Sequence, residues 1–120
     1  MIRRKEEYPQ EIMVRMKAGN GEFRVEHLVG EEVLGTAGRL FAKGILKPGH
    51  SVGWHVHDKT EMEVCYILSG MATILDDGSN PVKLLPGDTH VCLPGSGHSI
   101  VNEETEDLEY LAVVLFPELN

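Results

Sequence analysis

Two cysteines in 120 residues, Cys65 and Cys92, are too few and too isolated to form a disulfide framework. The fold must then hold by burying apolar surface, and a reducing cytosol is the expected compartment. Basic charge is scarce too. Eleven lysines and arginines stand against nineteen aspartates and glutamates, a formal net charge of −8, whereas a nucleic-acid partner needs a dense positive surface that releases counterions. Long apolar runs are missing: no stretch approaches the ~18 residues of a membrane span, and the basic start of MIRRKEEYPQEIMVRMKAGNG is not followed by the apolar segment of a signal peptide. A soluble protein with neither nucleic acid nor membrane as partner is expected. Phosphate-cradling loops are absent as well, since Gly95-Ser96-Gly97 lacks a third glycine and precedes an expected strand, not a helix. No stretch has room for a helix-turn-helix output domain, which disfavours a transcriptional sensor.

Turn residues are plentiful. Thirteen glycines and six prolines punctuate the chain, at Asn20-Gly21, Gly30, Gly35, Gly38, Pro48-Gly49, Asp77-Gly78, Pro86-Gly87 and Pro94-Gly95. Between them lie short segments rich in Val, Ile, Leu and Phe, the spacing of an all-β barrel or sandwich. The spacing predicts strands over 11–17, 22–28, 39–47, 51–57, 62–69, 71–76, 80–85, 89–93, 97–102 and 108–116, with one helical turn within 30–38. A 42% hydrophobic content suffices for the core of a single domain over residues 1–120. The segment YLAVVLF, 110–116, is apolar at every position, so it is expected to be covered on both faces, by the interior and by a partner subunit or the terminal strands.

The stretch GWHVHDKTEMEVCYILSG, residues 53–70, places titratable groups where a buried strand would carry valines. Alternation along a strand points His55 and His57 to one side and Trp54 and Val56 to the other. In the next strand Glu61, Glu63, Cys65 and Ile67 share one parity. A hairpin through Asp58-Lys59-Thr60 would set a carboxylate opposite the histidine pair, two nitrogens and an oxygen suited to divalent iron, manganese or zinc. A His-x-His pair alone is a weak signal. The stretch LPGSGHSIVN adds a fourth candidate, His98, just after a Pro-Gly turn.

Together these two stretches resemble the paired motifs of the cupin superfamily. The first motif runs Gly, five residues, His-x-His, three or four residues, Glu, six residues, Gly; here Gly49, His55, His57, Glu63 and Gly70 follow it, with five residues between His57 and Glu63. Glu61 has the permitted gap from His57 but the wrong distance to Gly70. The second motif is matched in spacing by Gly87, Gly95, His98 and Asn102, with Leu93 at the position of its first proline. The resemblance spans residues 40–116. It implies a double-stranded β-helix, or jelly-roll barrel, holding one divalent metal ion (manganese, iron, zinc or nickel) on His55, His57, Glu63 and His98. Glu63 is preferred because its distance to Gly70 fixes its place on the strand, while a loop absorbs an inserted residue.

On this reading Glu61 sits at the strand entrance, accepting a hydrogen bond from a ligand or moving protons, and His90 is a second candidate for proton transfer. The plain alternatives are a solvated carboxylate and a structural histidine. His27 and His50 are weaker candidates, and Cys65 is more simply a small buried hydrophobe than a catalytic thiol. Ser99 adjoins His98 but points to the opposite face of its strand, which leaves no nucleophile–base pair. Three functions remain open. The first is a metal-dependent enzyme, a dioxygenase-like oxidoreductase, decarboxylase or isomerase, acting on a small oxygenated metabolite or carboxylic acid; the second is a non-catalytic small-ligand-binding module; the third is a metal-free isomerase-like barrel. Negative net charge does not exclude an acidic substrate, because a bound cation inverts the local field. The family resemblance also implies a homodimer, with the strands of residues 1–28, outside the motif core, suited to pairing across its interface.

Overall fold

In the computed structural model, which describes residues 1–77 and 79–117, almost all regular structure is β. The glycine of the expected Asp77-Gly78 turn lies outside the described residues. Among those described, the strands are β1 (Gln10–Val14), β2 (Glu22–Val29), β3 (Gly38–Leu46), β4 (Ser51–Val56), β5 (Met62–Ser69), β6 (Ala72–Asp76), β7 (Val82–Leu84), β8 (Thr89–Cys92), β9 (Gly97–Val101) and β10 (Leu108–Leu115), with one α-helical turn, α1 (Glu31–Leu34), and 3-10 turns at Lys5–Glu7 and Met16–Ala18. No helix among them is long and apolar enough to cross a membrane.

The strands form two antiparallel sheets, one of six in the order β1-β2-β3-β10-β5-β8 and one of four in the order β4-β9-β6-β7. Their inner faces close on a core of alternating residues. On β10 Leu108, Tyr110, Ala112 and Val114 are buried, and on β5 Cys65 and Ile67 join them, facing Val52, Ile74 and Ile100 of the other sheet. β10 lies mid-sheet, paired on both edges with β3 and β5; its inward residues are buried, but Leu111, Val113 and Leu115 on the outer face stay part-exposed, because the terminal strands extend the same sheet and do not cover that face. The segment 1–28 supplies β1 and β2, which extend the same sheet within the chain by pairing β2 to β3.

Two expectations need correcting. Asp58-Lys59-Thr60 does not close a hairpin, because β5 is flanked by β10 and β8, while β4 pairs with β9 in the other sheet. No edge of β5 is left for β4. The loop instead crosses between sheets, turned by the Asp58 carboxylate, which accepts from the Thr60 backbone N–H at 2.9 Å. The first strand also stops early, at Val14 rather than 17. Arg15, Lys17 and Ala18 take left-handed φ angles of 53°, 54° and 60°, and Met16–Ala18 form a 3-10 turn. Met16, inside the expected strand, turns in toward the interior.

That turn shapes β4. A Cβ on Gly53 would lie 2.1 Å from the Lys17 carbonyl oxygen, so only glycine admits the turn this closely. At the same place the β4–β9 ladder slips: Val52 pairs with Ile100 and His55 with His98, three steps on one strand against two on the other. An extra residue in one strand is a β-bulge, which re-aims side chains. It allows Val52 and His55, of opposite parity, both to face inward.

Candidate metal centre

At one end of the barrel interior, the ends of β4, β5 and β9 bring His55, His57, Glu63 and His98 into one group. The His98 Nε2 atom lies 3.1 Å from His55 Nε2 and 3.2 Å from His57 Nε2, and the Glu63 Oε1 atom is 2.9 Å from His98 Nε2 and 3.2 Å from His57 Nε2. Three ring nitrogens at such distances cannot all be hydrogen-bonded to one another, since each Nε2 is either a donor or an acceptor. Ligand atoms about 2.0–2.1 Å from a common ion stand roughly 3.0–3.4 Å apart, so these separations suit a coordination sphere. Three imidazoles and one carboxylate fit a divalent transition metal, and the group could hold one.

The outer nitrogens of two rings are fixed by the chain. His55 Nδ1 donates to the Gly53 carbonyl at 2.8 Å, a contact supplied by the bulge. His57 Nδ1 lies 2.9 Å from Glu61 Oε1. Such bonds set the tautomer and leave each Nε2 lone pair aimed at the centre. His98 is fully buried and its Nδ1 has no partner among the described residues.

Glu61 is itself held. Arg39 donates Nε–H to Oε2 at 2.7 Å and an Nη2 proton to Oε1 at 2.9 Å, a bidentate fork. The Arg39 guanidinium, helped by His57, holds the Glu61 carboxyl at about 2. For Glu63, burial opposes ionisation, but hydrogen bonds from His57 and His98 outweigh it and keep this carboxyl at about 2 as well. His57 is raised by its bond to Glu63, with Glu61 adding to the effect, whereas burial lowers His55.

The remaining sequence candidates lie elsewhere. His90 does not line the main cavity; its ring stacks on His98 with centroids 5.4 Å apart, and its Nε2 is 3.3 Å from an Asp76 carboxylate oxygen. Burial pushes the Cys65 thiol well up and Cys92 to about 11, so neither is a thiolate at neutral pH. His27 pairs with Glu11 at 2.6 Å on the cavity wall. His50 is bonded to the Glu22 backbone. Arg39 is the residue that sequence reasoning missed. It carries no motif, and its place beside Glu61 depends on a contact between residues 22 apart in the chain.

Three of the group, His55, His57 and Glu63, line one end of a cavity of about 300 Å³ between the sheets, and His98 lies buried behind them. Near the centre its lining is His55, His57, Glu61, Glu63 and Arg39; elsewhere it is mostly apolar, with Phe23, Val25, Ala42, Ala112 and Tyr110 among the wall residues beside the Glu11–His27 pair and Lys17.

Comparison with known proteins is consistent with this geometry. The family model described as "Cupin domain" matches residues 43–114. The chain is 39% identical over 115 residues to an oxalate-binding protein of Thermotoga maritima, covering 96% of this chain and 93% of that protein. A crystal structure described as a predicted oxalate decarboxylase from Thermotoga maritima superposes with a TM-score of 0.91 at 38% identity, covering 98% of this chain and 100% of that one. A polyketide cyclase from Streptomyces resistomycificus shares the fold at 20% identity, with a TM-score of 0.76 over 98% of this chain and 81% of that one.

Proposed function

The chain belongs to the cupin family, and on that premise we propose that His55, His57, Glu63 and His98 hold one divalent metal ion that captures a small carboxylic acid, oxalate being the first to try. The observation that carries this reading is the convergence of three imidazole nitrogens and one carboxylate oxygen at the end of a cavity. The similarity to an oxalate-binding protein supports the acid as ligand class. When bound, the metal supplies a Lewis acid for carboxylate oxygens and offsets the negative charge of Glu63.

The chain's own residues supply the rest. Glu61, ionised and clamped by Arg39, orients the His57 ring; with both oxygens already engaged, it serves this role better than that of a proton shuttle. His90, off the cavity, packs behind His98. The apolar wall excludes water from a bound acid, which strengthens each polar contact there. Turnover would be decarboxylation, in which hydrogen oxalate gives carbon dioxide and formate; a binding module would release the acid unchanged. Isothermal titration of manganese-loaded and metal-free protein with oxalate tests capture, and formate assay of the same mixture separates enzyme from binding module. Heat of binding with the loaded protein alone supports the reading, and equal behaviour of the two forms refutes it.

The homodimer belongs to the same proposal. Outward-facing Tyr66, Leu68 and Val91 on the six-stranded sheet are exposed, an apolar surface that a second copy would cover. The two free, buried thiols accord with a cytoplasmic setting. Sedimentation equilibrium giving a monomer at micromolar concentration would remove the dimer from the proposal.

A further inference from the structure

The cavity reaches well beyond the four-residue group, and its rows can be read from the ladders. Glu63, Val114 and Leu40 are paired in the row nearest the group. The next row holds Cys65, Ala112, Ala42 and His27, and the third Ile67, Tyr110, Gly44 and Val25. Tyr110 is four residues from Val114 along β10, roughly 13 Å at the usual strand rise. The small side chains of Ala42 and Ala112 in the middle row border the open space between a polar end and an aromatic one, with His27, held by Glu11, at the row's outer end.

The aromatic end is built. Phe23 lies parallel to Tyr110, ring centroids 6.1 Å apart and planes within 9°. Gly44 makes room for both rings: a Cβ there would fall 2.8 Å from Phe23 Cε1 and 2.9 Å from Tyr110 Cζ. From the facing sheet Val52 and Ile100 close the space. Of the charged side chains that line the cavity away from the four-residue group, Glu11 is paired with His27 and Arg39 with Glu61, and Lys17 is exposed. Apart from these and the Tyr110 hydroxyl, the wall away from the group is apolar.

Resting on the reading of the centre as an acid-binding metal site, we propose that its preferred ligand is a carboxylic acid carrying an apolar body, aryl or branched alkyl, which lies along Ala42 and Ala112 toward Phe23 and Tyr110. Oxalate has no apolar atom to set against that wall. An acid that fills it removes apolar surface from water, in addition to whatever its carboxylate gains.

The test compares oxalate with phenylpyruvate by isothermal titration into the manganese-loaded protein. Phenylpyruvate should bind at least about tenfold more tightly. Ala112→Leu, which fills the middle row, should cost phenylpyruvate about tenfold or more while leaving oxalate within about twofold, with a thermal melt confirming that the variant folds. Should the variant not fold, the wild-type comparison decides alone. Oxalate binding as tightly as phenylpyruvate or more so overturns the apolar-body inference and leaves the acid-binding centre standing. Manganese uptake with no binding of either acid overturns both.

Discussion

Glu61 stands between His57, whose Nδ1 lies 2.9 Å away, and Arg39, whose fork grips both of its oxygens. The carboxylate is thus a bracket for a ring whose other nitrogen faces Glu63 and His98. Replacing it should loosen the ring without deleting a donor to the centre. Glu61→Gln is expected to weaken metal binding by about tenfold to a hundredfold, the usual scale for a hydrogen-bond partner of a ligand, and Arg39→Met should cost less. Glu63→Ala should cost more than either. Chelator competition with manganese ranks the three variants, and a larger loss in the Glu61 variant than in the Glu63 variant would mean that the two carboxylates have exchanged roles.

Proton linkage gives a second expectation. Folding lowers Glu61 and Glu63 from an ordinary value of 4.5 to about 2, so their contribution to stability is complete above pH 4.5 and is lost as pH falls toward 2. In metal-free protein, urea midpoints should drop across that window. Glu61→Gln should show a shallower drop; an unchanged pH dependence would mean that the Arg39 clamp is not formed in solution.

His57 carries the opposite sign. Its pKa is raised above 6.5, so its contribution to the metal-free fold is full below that value and is lost as pH rises through the raised one. A metal must displace that proton. Titrating manganese at pH 6.5 in two buffers of different ionisation heat should reveal proton release, diminishing at higher pH. Identical heats in both buffers would contradict the assignment.

Asn102 is fully buried and bonded three ways: its amide nitrogen donates to the Leu46 and Glu106 carbonyls, each at 2.8 Å, and its oxygen accepts from the Glu104 N–H at 3.0 Å. It therefore ties the loop after β9 to the end of β3. Asn102→Ala should destabilise the fold by about 2–4 kcal/mol, as buried backbone groups lose partners. Metal affinity at a temperature where the variant is folded should stay within about twofold of wild type. Urea unfolding and chelator competition separate the two effects.

The strand β5 was legible to the residue, 62–69, because the buried Glu63, Cys65 and Ile67 alternate with less buried neighbours and a glycine follows. His98 was legible by its motif spacing. What surrounds them was not. The loop 58–60 has hairpin length, and nothing local says that both edges of β5 are already occupied by strands from far along the chain. The bulge at Gly53 is likewise set from outside β4, by the carbonyl of Lys17. Arg39 was hidden for the same reason: an alternating strand assigns it outward, and only the barrel's closure brings Glu61 to it. Chemistry carried by one strand could be read from spacing; geometry made by two distant strands could not.

The central claim is that His55, His57, Glu63 and His98 form one metal centre. Metal analysis of protein purified without a histidine tag or added metal, repeated after exposure to manganese, iron(II), zinc and nickel in turn, tests it most directly. The account predicts close to one equivalent of a divalent metal per chain, falling to a small fraction in His98→Ala and Glu63→Ala variants that still fold. Far less than one equivalent in the wild-type protein, with no uptake of any supplied metal, would contradict it.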